Sequence, residues 1–204
     1  MTFQNGDFPS FMLDLTQWIR EGSLEGLYRE LELVPWMPGA VLPRGIRPVD
    51  GHQGVYLLDR IVDASSDRDV QLAAVRQAAE AAAGYGGMLV VRVTGGTSCL
   101  LHDVAEAGAD CIEGVSCPPQ GDELIMKARG RLRRDTLLWG GLPRDCMLSS
   151  WPERTFQQIA KYVAEAACGE YRVIVGVAGG VPSGAEFSRI RYLADLFRHM
   201  EDMQ

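Results

Sequence analysis

Short apolar runs alternate with helical patterns from Tyr85 onward, and this order constrains the fold more than any other feature of the sequence. "GMLVVRVT" (87–94), "DCIEGV" (110–115), "DTLLWGGL" (135–142) and "YRVIVGV" (171–177) each read as a strand buried on both faces. Between them lie segments with apolar residues at helical spacing. One is "TSCLLHDVAEAG", where Leu100, Leu101, Val104 and Ala105 share a face. Another carries Phe156, Ile159, Ala160, Val163 and Ala167, and the last carries Phe187, Ile190, Leu193, Leu196 and Phe197. Strands apolar throughout, joined by helices, are the mark of a parallel sheet covered by helices. Upstream, "VYLLD" (55–59) with the alanine-rich stretch after it adds a unit, and "SFMLDL" (10–15) reads as a first strand. The expectation is an α/β domain with a parallel (β/α) barrel-like sheet of the TIM type. It is shortened or incomplete, because about six strands fall below the eight of a closed barrel.

The expected organisation is one domain over 1–204: an N-terminal strand and helix at 8–40, a loop at 41–54 rich in proline and glycine, and β/α units over 55–200. Two spacings, Ser150-x-x-Glu153 and Ser183-x-x-Glu186, read as capping boxes that open the last two helices. The formal net charge of -7 argues against a nucleic-acid partner. No apolar run reaches the ~20 residues that cross a bilayer, and no secretory signal pattern opens the chain. Five cysteines without a C-x-x-C pair read as reduced thiols, hence a cytoplasmic protein.

Ligands of parallel α/β folds bind beyond the carboxyl ends of the strands. The residues to weigh there are Asp14, Asp59, Arg92 with Thr94, Glu113 through Asp122, and Gly179. Arg92 interrupts a buried run and needs a partner. It is either half of a structural ion pair with Glu113 or a clamp for a substrate carboxylate. In "VSCPPQGDEL" (115–124), Asp122 reads as the cap of the following helix. Cys117 in the same turn is either a small hydrophobe or a reactive thiol. Asp59 reads as standing at a strand end, as a helix cap, a partner of Arg60 or a catalytic carboxylate. The glycine turns "TGGTS" and "AGGVPS" lie where backbone N–H groups can hold an anion, but neither has a P-loop or dinucleotide spacing. Cys99-x-x-His102 gives no convincing metal site, because His102 falls on a polar helical face.

The succession "GADCIEGVSCPPQGDELIMKAR", "LLWGGLP", "SWPERTF" and "VIVGVAGGVPSGAEFSRIRYLADL" resembles the C-terminal half of the uroporphyrinogen decarboxylase superfamily. That superfamily includes the porphyrin-pathway decarboxylase, the zinc-dependent cobamide methyltransferases and many uncharacterised relatives. The resemblance covers residues 87–200, with a weaker echo in "FMLDLTQW" and "LYRELELVPW". It implies a barrel lacking a large middle section, lyase or methyltransferase chemistry on a small carboxylated or tetrapyrrole-related ligand, and a possible corrinoid protein partner. The methyltransferases carry H-x-C-G where this chain reads Arg92-Val93-Thr94-Gly95, and a zinc cysteine where it has Gly179. The implied site therefore has no metal and no cofactor. Arg92, Thr94, Cys117, Gly179 and Asp14 would bind substrate, and Asp59, Glu113 or Asp122 would transfer protons. The alternative is a non-catalytic binding protein that kept the scaffold. Exposed strand edges in a short barrel lead to the expectation of a homodimer.

Overall fold

A computed structural model describes residues 46–48, 55–168 and 172–201. The expected strand and helix at 8–40, and Asp14 with them, lie outside the described residues. Six strands form one sheet in sequence order: β1 (Ile46–Pro48), β2 (Val55–Val62), β3 (Met88–Val93), β4 (Cys111–Ser116), β5 (Leu137–Leu142) and β6 (Val173–Val177). β2 through β6 are mutually parallel, and β1 pairs antiparallel with β2. The stretch 41–54, expected to be loop, thus contains a short strand. Ile46 pairs with Leu58 and Pro48 with Tyr56, and a proline is tolerated in an edge strand because one side of it needs no ladder donor.

Each parallel step is bridged by a helix: α1 (Arg68–Gly84), α2 (Leu101–Glu106), α3 (Ile125–Arg131) and α4 (Glu153–Ala167), with α5 (Phe187–Glu201) following β6. This is the open arc of a (β/α) barrel-type sheet, unclosed among the described residues. Strand residues alternate between two faces. Leu89, Val91, Ile112 and Leu138 pack under the helices in the main core with Val75, Phe156, Ala160 and Val163. Leu57, Val90 and Cys111 form a second, smaller cluster on the opposite face.

The last two helices begin later than their sequence spacing implies. α4 opens after Pro152 with no side-chain cap, so Ser150 makes no capping box. α5 opens at Phe187, so Glu186 precedes the helix rather than sitting at its third position. Glu153 and Glu186 instead flank one buried cation, Arg189, whose side chain is 3% exposed. The reason is energetic: a buried guanidinium demands compensation more strongly than an exposed helix end demands a cap. By contrast Asp67, which the sequence reading passed over, caps α1 by accepting from the Val70 N–H at 3.1 Å.

Three thiols, Cys111, Cys117 and Cys146, are buried. Loss of hydration disfavours the thiolate, and burial pushes Cys146 up from 9.0 to about 12. Because the folded value is raised, the stabilising effect is full below pH 9 and is lost as the pH climbs from there toward 12. Between pH 9 and pH 11, unfolding free energy should fall by on the order of 1.4 kcal/mol per pH unit for this one thiol. A Cys146→Val variant should show a correspondingly shallower slope in urea titrations across that range.

Candidate functional site at the carboxyl ends of the strands

Glu113 sits near the end of β4 with its side chain 3% exposed. Its Oε2 accepts from Arg92 Nε at 2.6 Å, and its Oε1 accepts from the Gly179 N–H at 2.8 Å. Arg92 and Glu113 are register partners on β3 and β4, so their side chains emerge on the same face. Of the two readings of Arg92, the ion pair is the one formed. Glu113 fastens three strand ends together, and both of its oxygens are engaged. The Gly179 N–H is likewise committed.

Just beyond this pair lies a cavity of about 90 Å³, lined by Val93, Thr94, Gly95, Gly114, Ser116, Gln120, Arg144, Ala178 and Gly179. These residues come from the ends of β3, β4 and β6 and from the short 3-10 turn Arg144–Met147 after β5. Thr94 and Gly179, both expected at the site from sequence, are brought together here. Ser116 and Gln120, inside the stretch from Glu113 to Asp122 weighed from sequence, join them, whereas Arg144 was missed. Arg144 follows "GGLP", and its position at a strand end was a usable signal. It is exposed and forms no ion pair among the described residues.

Glycine makes the close approach of strand ends possible. Gly114 has φ +99, and a methyl group there would collide with the Val93 carbonyl. An L side chain rarely adopts that φ, so the position suits glycine on two counts. Gly114 is also the extra residue in the register between β4 and β5, where Glu113 pairs with Trp139 and Val115 with Gly140. Such a bulge re-aims the side chains that follow it.

The turn 116–123 assigns each residue a separate task. Ser116 Oγ donates to the Cys117 carbonyl at 3.1 Å. Cys117 packs into the main core, and burial pushes its thiol up, so it is a small hydrophobe and not a reactive thiol. The Pro118–Pro119 bond is cis. The Gln120 Oε1 accepts the Asp145 N–H at 3.3 Å, joining this turn to the one that bears Arg144. Asp122 does not cap α3, which starts at Ile125 after Leu124 without a side-chain cap. It accepts from the Ser98 hydroxyl at 2.7 Å and from the Ser98 N–H at 3.2 Å, tying the loop after β4 to the one after β3. Glu123, buried, is held by Arg131 through two bonds of 2.6 and 3.0 Å.

Asp59 lies inside β2, which continues to Val62, rather than at a strand end, and its side chain is outside the described residues. No group of three or more His, Cys, Asp or Glu able to hold a metal occurs among the described residues. At the positions where the resemblance implies zinc ligands stand an ion-paired arginine, a threonine and a glycine. Zinc needs thiolate, imidazole or carboxylate donors, so this donor set does not fit it. No helix of the described residues is long and apolar enough to cross a membrane.

No family model matches the chain, and no curated protein sequence matches it. Solved structures do match. One, described as a methyltransferase from Methanosarcina mazei, is 16% identical, with a TM-score of 0.52 over 67% of this chain. The likeness is one of fold. The matched region spans 38% of the length of that methyltransferase chain.

Proposed function

We propose that the protein binds a small carboxylate-bearing ligand in the cavity at the carboxyl ends of β3, β4 and β6, with Arg144 as its counter-charge. The observation that carries this reading is the Arg144 guanidinium, without an ion-pair partner among the described residues, on a cavity lined with Thr94, Ser116 and Gln120. A guanidinium offers a planar fork that suits a carboxylate. Arg92 strengthens the frame, with Glu113 neutralising it. Asp122 supports the cavity from outside through Ser98. Typical drug-sized ligand pockets are ~300–1,000 Å³. The size of this cavity suits an acetate-like acid.

A second reading is favoured by the fold likeness to a methanogen methyltransferase. The chain would then be a member of the uroporphyrinogen decarboxylase superfamily that acts on its ligand by lyase or methyl-transfer chemistry, in the latter case with a corrinoid protein as partner. It stands second because, among the described residues, no carboxylate or imidazole lines the cavity.

The test is calorimetric titration with acetate. Binding in the millimolar range is expected. Arg144→Ala should weaken it about tenfold, or about 1.4 kcal/mol, within the range of a charge-assisted hydrogen bond, with the unfolding midpoint unchanged. Equal affinity in the variant would refute the role given to Arg144, and no binding by the parent protein would refute the site.

A further inference from the structure

We infer that the ligand is a 2-hydroxy monocarboxylate of glycolate size, whose hydroxyl group donates to Ser116 Oγ. The inference rests on the reading of the cavity just proposed and adds the chemical class. Charge comes first. Among the described residues Arg144 is the one ionisable residue in the lining, and the neighbouring Arg92 charge is matched by Glu113 at 2.6 Å. A second carboxylate would enter without a counter-charge, which excludes dianions such as oxalate.

The hydrogen-bonding inventory decides the rest. Gln120 spends its Oε1 on the Asp145 N–H, so its amide nitrogen remains to donate. The Gly179 N–H, which would otherwise serve an anion, is taken by Glu113. Ser116 is the opposite case. Its hydroxyl hydrogen goes to the Cys117 carbonyl, and its lone pairs are left over. A cavity that offers donors from Arg144 and Gln120 and an acceptor at Ser116 matches an anion that also bears a donor hydrogen. An ammonium group could supply that hydrogen too. It would carry a positive charge toward Arg144 with no carboxylate in the lining to meet it, so an amino acid is disfavoured.

The experiment compares acetate, glycolate, fluoroacetate, glycine and oxalate on the full chain by calorimetric or NMR titration. Glycolate should bind about fivefold tighter than acetate, the yield of one net hydrogen bond. Fluoroacetate, with fluorine in place of the hydroxyl group, has no hydrogen to donate and should bind like acetate, while glycine and oxalate should bind more weakly than acetate. Ser116→Ala should erase the glycolate preference, so that glycolate and acetate bind the variant alike. Acetate binding with no glycolate preference would overturn this inference alone, as would a preference shared by fluoroacetate or surviving in Ser116→Ala. Failure of both acetate and glycolate to bind would overturn the underlying site as well. The fluoroacetate comparison uses the unaltered chain, so it decides the matter even if Ser116→Ala does not fold.

Discussion

Replacing Arg189 by methionine should lower the unfolding free energy by about 3–5 kcal/mol, the range for removing one partner from a buried, charged hydrogen-bonded group. The guanidinium donates through Nη1 to the carbonyls of Cys146 and Leu148, at 2.6 and 2.7 Å, and through Nη2 to that of Trp151 at 2.6 Å. It also lies over the Phe156 ring at 5.1 Å from the centroid. The carboxylates of Glu153 and Glu186 stand 3.2 and 3.1 Å from Nε, within ion-pair reach but out of line with its N–H. Those two carboxylates reach solvent and can be rehydrated. The three carbonyls belong to a packed turn, so they account for most of the cost. Arg189→Lys should recover less than half, because an ammonium cannot span three acceptors in one plane. Urea denaturation of the three proteins measures this. A loss below 1 kcal/mol in Arg189→Met would show that the turn holds itself. Because that turn begins at Arg144, acetate affinity should fall in parallel with stability.

Glu113→Ala should cost about 3 kcal/mol, at the lower edge of the range for breaking a buried ion pair. The discount reflects Arg92, whose side chain is 36% exposed and can recruit water. The remaining loss is the Gly179 N–H, left without its acceptor. Glu113→Gln separates the two contributions. Its amide oxygen can still serve Gly179, but its NH₂ group would then face the Arg92 Nε–H, donor against donor. The glutamine variant should therefore be nearly as unstable as the alanine one, and Arg92→Met/Glu113→Leu should regain more than half the loss. If Glu113→Gln proves as stable as the parent, the charge is unimportant and the hydrogen bond to Gly179 is the whole contribution.

What the sequence made legible follows from its periodicities. Valine-rich runs such as Met88–Val93 are too short for helices and apolar on both faces, so β3, β4, β5 and β6 were readable with their order. The Arg92–Glu113 pair was readable because a charge in such a run must be compensated from an adjacent strand. Short-range spacing misled at Ser150, Ser183 and Asp122. Each had a plausible cap to form along the chain, yet the carboxylates were recruited elsewhere: Glu153 from a distance and Glu186 from three residues away by Arg189, and Asp122 by the distant Ser98. Local hydrogen bonds of about 1 kcal/mol are overridden when a buried cation or a neighbouring loop offers more. That Gln120 and Arg144 share one cavity was not legible, because they come from different β/α units and meet only in the folded sheet. Asp59 was misplaced at a strand end because the irregular register between Leu58 and Val62 lengthens β2.

The single extra residue at Gly114 acts as a phase shift in β4. Before it, Ile112 faces the helices and Glu113 the opposite side; after it, Val115 and Cys117 return to the helix side while Ser116 opens on the cavity. Without that slip, strict alternation would present the cysteine and valine to the ligand and turn the serine hydroxyl into hydrocarbon. The polarity of the binding surface is thus encoded by one backbone count as much as by the residues themselves, and a family of such proteins could retune its ligand by inserting or deleting one glycine.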